Sequence, residues 1–222
     1  MQTTQHIYRA FDDELKFLAN RIAGMGGHAE RMVDQAVVAL VNSDQALAQK
    51  VIADDVALDE GQREIDDKAI VIIAKRQPMA DDLREIIAAL KIGGVLERVG
   101  DYSKNIAKRV GRIEGRSRFE PLTLLPAMGE LAAEMVHDVL TAYAARDPVL
   151  AREVIERDAK VDAFYDSIFR NLVSYMVENP ATISSAAHLL FIARNLERVG
   201  DHATNIAEMV HYSAVGTYLP DR

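Results

Sequence analysis

Six pairs of carboxylates, each spaced four residues apart, fall at matching places in the two halves of this 222-residue chain. They are Glu30/Asp34, Asp55/Asp59 and Glu97/Asp101 in the first half, and Glu134/Asp138, Asp158/Asp162 and Glu197/Asp201 in the second. Each pair returns on the order of 100 residues later, as in a tandem repeat. On a helix, residues four apart lie one above the other at about 6 Å, where like charges cost a few tenths of a kcal/mol. Keeping that repulsion six times over calls for a compensating positive charge. A divalent or trivalent metal ion shared by carboxylates of neighbouring helices would supply it, and oxygen ligands suit Mg, Mn, Fe and, less selectively, Zn. The competing account is a solvated acidic face whose pairs neutralise Arg98, Arg198 and nearby lysines; spacing does not choose between the two.

The elements that carry these pairs follow from the repeat. Leu96-Glu97-Arg98-Val99-Gly100-Asp101 returns letter for letter as Leu196-Glu197-Arg198-Val199-Gly200-Asp201, and both copies continue to Asn-Ile, at Asn105-Ile106 and Asn205-Ile206. Apolar residues recur at helical spacing: Leu96, Val99, Ile106 and Val110 match Leu196, Val199, Ile206 and Val210. Breaks fall at Asn42-Ser43-Asp44, Gln77-Pro78, Gly111 to Pro121, Arg146-Asp147-Pro148 and Asn179-Pro180. They predict about six helices of roughly 25 to 30 residues, on the order of 40 Å long. Long helices with short connections pack antiparallel, so the expected fold is all-α, a tandem of two three-helix bundles over residues 1–114 and 115–222. Glu97 and Asp101 project nearly opposite the apolar stripe, which predicts acidic sites on the outside of each bundle, open to water. Gly61, interior to the second helix, is expected to be a weak point of about 1 kcal/mol.

Composition narrows the function classes. Hydrophobic residues at 49% suffice for a core, and 6% aromatics with no Trp suit helices packed through aliphatic side chains. The absence of Cys removes disulfides, thiolate metal sites and a Cys nucleophile. A net charge of −8 argues against nucleic acid. The polar N-terminus and the shortness of the longest apolar run, 69–74, predict a soluble cytoplasmic protein. One basic run, Lys104, Lys108, Arg109, Arg112, Arg116 and Arg118, crosses the end of the first repeat; it reads as a cationic helix end or as a phosphate or partner contact. Two Glu-x-x-His units, Glu134 to His137 and Glu208 to His211, raise the alternative of a di-iron carboxylate oxidoreductase, although neither has an equivalent His in the first half. Gly24-Met-Gly-Gly27 lacks the glycine fingerprint of a nucleotide loop and reads as close helix packing or a kink. With no Walker motif, nucleophile elbow or triad, no enzyme is expected.

Several segments together resemble the PhoU family of phosphate-uptake regulators: His6, Phe11 and Leu15; Ala46-Leu47-Ala48 leading into Val51-Ile52-Ala53-Asp54-Asp55; Gln77-Pro78-Met79-Ala80-Asp81-Asp82-Leu83-Arg84; and both Leu-Glu-Arg-Val-Gly-Asp segments. Gly61 and Gly93-Gly94 depart from the larger or polar residues more usual in that family. The resemblance implies a cytoplasmic, all-helical protein of two three-helix repeats, usually a homodimer or higher oligomer. It implies action with the ATPase-driven phosphate ABC transporter and a phosphate-sensing histidine kinase, repressing the starvation response and restraining uptake, with membrane contact only through those partners. It also implies multinuclear metal binding by Glu/Asp-x-x-x-Asp pairs. That motif lands on Glu97/Asp101 and Glu197/Asp201, then Glu30/Asp34 and Glu134/Asp138, then Asp55/Asp59 and Asp158/Asp162. A metal-free helical scaffold is the remaining alternative.

Overall fold

The computed structural model describes residues 2–113 and 123–219, with side chains from residue 10 onward. The expected boundary at 114/115, together with Arg116, Arg118, Pro121 and the side chain of His6, lies outside the described residues. The helices are α1 (Gln2–Asn42), α2 (Gln45–Asp54), α3 (Val56–Arg76), α4 (Asp81–Ala107), α5 (Leu124–Ala145), α6 (Pro148–Glu178) and α7 (Ile183–Val215). Short 3-10 turns follow α4 at Val110–Arg112 and precede α7 at Pro180–Thr182. No strand occurs among the described residues.

The helix ends follow local chemistry. Ser43 turns left-handed at φ 57, and the Asp44 carboxylate then accepts the Leu47 N–H to start α2. Asp147 accepts the N–H groups of Val149 and Leu150, and Pro148 occupies the first helical position, where its missing donor leaves nothing unsatisfied. Gln77 and Arg146 close α3 and α5 in the left-handed conformation. Helix lengths spread more widely than expected, from 41 residues in α1 to 10 in α2. The second rod of the first half is interrupted between Asp54 and Val56, whereas its counterpart α6 runs unbroken for 31 residues. His28 of α1 marks the interruption: its Nε2 lies 3.0 Å from the Asp54 carbonyl and donates to it.

Taking α2 and α3 as one rod, each half is a three-helix bundle. The halves join through α1 against α5 and α4 against α7, so that equivalent helices meet each other. α4 and α7 are central: α4 packs on α1, α2, α3 and α7, and Leu96, Val99, Ile106 and their counterparts Leu196, Val199, Ile206 are fully buried. Close approach is built with glycine. A Cβ on Gly26 would stand 2.2 Å from Leu140 Cδ1 across the α1/α5 seam. A Cβ on Gly61 would stand 2.7 Å from Met25 Cγ and Sδ, so the expected weak point is a close contact between α3 and α1.

Candidate functional site

The repeated Val-Gly-Asp of α4 and α7 does more than end a packing seam. A Cβ on Gly100 would lie 2.3 Å from Leu58 Cδ1 and 3.4 Å from Asp55 Oδ1; one on Gly200 would lie 3.3 Å from Asp158 Oδ1 and 3.4 Å from Val161 Cγ1. The bare backbone at each glycine admits the neighbouring rod, and the carboxylate arriving there is Asp55 or Asp158. Asp55 and Asp59 thereby join Glu97 and Asp101 of α4, and Asp162 joins Glu197 and Asp201 of α7, close enough for their charges to interact. These two four-carboxylate clusters, one per bundle, are repeat-equivalent.

Their setting differs from the exposed faces expected. Asp55 is 4% exposed, Glu197 is 9%, and the Glu97 side chain is only one-fifth exposed. The cause is the central place of α4 and α7. The face opposite the α4/α7 stripe is partly covered by α2 and α3, or by α6, although Asp162 stays exposed and Asp101 and Asp201 are half-buried. Burial, with the neighbouring Asp101, Asp59 and Asp55, pushes the Glu97 carboxyl up, against the opposing pull of Arg98. Burial, then Asp201 and Asp162, pushes Glu197 up against Arg194.

Internal cations already answer part of this charge. The Lys104 ammonium donates to the buried Asp55 and lies 3.6 Å from Asp101, and the hydrogen bond to Asp55 raises its pKa. In the second half the same position is Thr204, whose hydroxyl donates to the Asp201 carbonyl, and a different cation, Arg194, pairs with Glu197. As placed, no three of the His, Asp and Glu side chains among the described residues converge in a metal-ligating arrangement. The donor set nonetheless fits a hard cation. It is all carboxylate, it is partly desolvated, and in the first half the Lys104 ammonium already sits against both Asp55 and Asp101.

The remaining two pairs belong to neither cluster. Glu30 and Asp34 of α1 meet Glu134 and Asp138 of α5 in an open groove between the repeats, lined also by Glu130, Ala133 and His137. Nδ1 of His137 lies 3.2 Å from Glu30 Oε2, Arg157 pairs with Asp138, and burial with Glu30 and Glu130 pushes Asp34 up. The sequence placed these pairs with their own halves; the two-fold meeting of α1 with α5 brings them together. The second Glu-x-x-His unit lies elsewhere: Glu208 lines a pocket between α4 and α7, and His211 is buried in α7. The two units therefore share no centre, which a di-iron site requires.

The repeats also match a known pattern. The model of the PhoU domain matches residues 22–110 and again 125–210, one copy in each bundle. The chain belongs to the PhoU family. A phosphate-specific transport system accessory protein PhoU homolog of Rhizobium meliloti (strain 1021) is 55% identical over 95% of this chain and 90% of its own length. One from Zymomonas mobilis is 48% identical over 98% of this chain and 92% of its own. The crystal structure of PhoU from Pseudomonas aeruginosa superposes with a TM-score of 0.90 at 39% identity, covering 93% of this chain and all of that one. The phosphate transport system regulatory protein PhoU from Streptococcus pneumoniae gives 0.88 at 28% identity, over 95% and 99% of the two chains. The PhoU fold is thus the two-bundle architecture seen here.

Proposed function

We propose that this protein is a cytoplasmic, non-catalytic adaptor that restrains phosphate uptake and represses the phosphate-starvation response. In this reading it acts between the ATPase subunit of a phosphate ABC transporter and a phosphate-sensing histidine kinase, as a homodimer or higher oligomer. Membership of the PhoU family supports the reading, as do relatives described as accessory or regulatory proteins of phosphate transport. No described helix is long and apolar enough to cross a membrane.

The observation that carries the metal-binding part is the recurrence of four carboxylates around Gly100 and again around Gly200. Asp55, Asp59, Glu97 and Asp101 would hold one metal centre, and Asp158, Asp162, Glu197 and Asp201 another. A bound cation there would add to the positive charge that Arg98 and Arg194 already bring to Glu97 and Glu197. The groove carboxylates Glu30, Asp34, Glu134 and Asp138 form a third, inter-repeat acidic surface.

Deletion of the gene tests the regulatory role. The deletion strain is expected to express phosphate-starvation genes in phosphate-rich medium, and normal repression would refute the role. The ion pairs of Lys104, Arg194 and Arg157 favour a second reading, a metal-free scaffold whose acidic residues are neutralised internally. Complementation by a variant with Asn or Gln at all eight cluster carboxylates separates the two. Full repression supports the scaffold; its loss, in a protein that still folds, supports metal-dependent signalling.

A further inference from the structure

Beyond Lys104, the basic run at the end of α4 makes no ion pair with the carboxylate clusters among the described residues. The guanidinium carbon of Arg109 lies 4.9 Å from the centroid of the Phe191 ring on α7, and its Nη1 donates to the Asn105 carbonyl at 2.8 Å. The following 3-10 turn brings Arg112 back beside it, the Arg112 N–H donating to the Arg109 carbonyl at 3.0 Å. His188 stands one helical turn before Phe191 on α7, and both arginines act on its ring. Arg109 Nε and His188 Nδ1 are buried without a hydrogen-bond partner among the described residues. Neither arginine is ion-paired there, in contrast to Lys104, Arg157 and Arg194.

This arrangement is unfavourable by itself. Burial and Arg112 lower the Arg109 pKa, and burial with the two arginines lowers that of His188. A buried donor left without a partner costs about 1–3 kcal/mol. The set is not a by-product of the repeat. The counterparts of Arg109, Arg112 and His188 are Met209, Tyr212 and Ala88, which line a pocket closed by the stacked Tyr212 and Tyr218 rings, 4.3 Å apart. One end of the α4/α7 crossing therefore carries stacked tyrosines and Met209 with both Lys91 and Glu208, and the other gathers cationic donors with no counter-charge among the described residues.

We propose that Arg109, Arg112 and His188 form a binding site for a small tetrahedral oxyanion, of which inorganic phosphate is the representative. Guanidinium groups present paired N–H donors to such oxygens, and the Phe191 face fixes the plane of one of them. The site uses none of the cluster carboxylates and so needs no metal.

Calorimetric titration of the whole protein, stripped of metal and kept in chelator, with inorganic phosphate and separately with sulfate tests the site, with the His188 ring resonances followed in parallel. Saturable one-to-one binding with a shift of the His188 resonances is expected. Arg109→Gln and the exposed Arg112→Gln should each weaken it at least about tenfold, the loss of a charge-assisted hydrogen bond. Arg152→Gln, which removes the same charge from an exposed position of α6, should leave it unchanged. Comparable binding of sulfate supports a general oxyanion site. No saturable binding, binding indifferent to both arginine substitutions, or binding that appears only when metal is restored would overturn the proposal.

Discussion

The hydroxyl of Tyr102 lies 3.0 Å from Nε2 of His202, and the two rings stack with centroids 5.2 Å apart, although the two residues hold the same position in their respective repeats. Each follows the terminal Asp of its Leu-Glu-Arg-Val-Gly-Asp segment, so this side-chain contact links the two segments directly across the repeat interface. Asn205 fixes the other ring nitrogen of His202 at 3.1 Å. Tyr102→Phe keeps the stack and removes the hydrogen bond, and should lower stability by about 0.5–1.5 kcal/mol in urea. An unchanged midpoint and slope would show that the bond contributes nothing.

Lys104 should oppose metal loading of the first cluster. Lys104→Met leaves the buried Asp55 carboxylate unpaired and should destabilise the metal-free protein by about 1–3 kcal/mol. Added metal should then raise its melting temperature more than it raises that of the wild type. The reciprocal Thr204→Lys should weaken loading of the second cluster. Asp55 holds the Lys104 pKa above 10.5, so the stabilisation from this pair is complete below that value and is lost as pH rises through the folded one. Equal metal-induced stabilisation of wild type and Lys104→Met would dismiss this competition.

Gly100→Ala and Gly200→Ala should differ. The new methyl at 100 meets the fully buried Leu58 at 2.3 Å, an overlap expected to cost about 1–3 kcal/mol and to push α4 away from Asp55. At 200 the nearest atom is 3.3 Å away, and the gain in helix propensity of about 1 kcal/mol offsets the crowding. Denaturant melts of the two variants should separate them; equal losses would mean that Leu58 yields freely.

Acid should act through Glu14, which ties α1 to α3 by accepting from Arg76 at 2.9 Å and Lys68 at 3.5 Å. The Arg76 hydrogen bond holds the Glu14 carboxyl below its usual 4.5. A depressed carboxylate stabilises above the unfolded pKa and ceases to do so as pH falls through the folded value. Glu14→Gln should therefore be less stable by about 1 kcal/mol at neutral pH. The gap should close in acid below 4.5. A gap constant with pH would assign the effect to packing.

The helix breaks were legible because their chemistry is local: Asp44, Gln77 and Asp147 act on backbone groups within a few residues. The repeat also carried the two-bundle plan. What one-dimensional spacing did not carry was the neighbourhood of α4 and α7. A single apolar stripe suggests one buried face, yet these helices are enclosed on several sides, and Glu197 is buried in consequence. The joining of Glu30/Asp34 with Glu134/Asp138 was hidden for a related reason, since a repeat shows which residues are equivalent but not which equivalents touch. The parts played by Gly100 and Gly200 were signalled by their exact recurrence beside the acidic pair. Their meaning required the opposing Leu58, Asp55, Asp158 and Val161.

Elemental analysis of protein purified without added metal or chelator tests metal ligation by the clusters most directly. Wild type is compared with a variant carrying Asp158→Asn, Asp162→Asn, Glu197→Gln and Asp201→Asn, with helicity confirmed for both. Metal should be present in the wild type and reduced by half or more in the variant, since in the second cluster Thr204 stands where Lys104 holds the buried aspartate of the first, and Arg194 pairs with Glu197 instead. A metal-free wild type, or equal metal content in the two proteins, would contradict metal binding by these carboxylates.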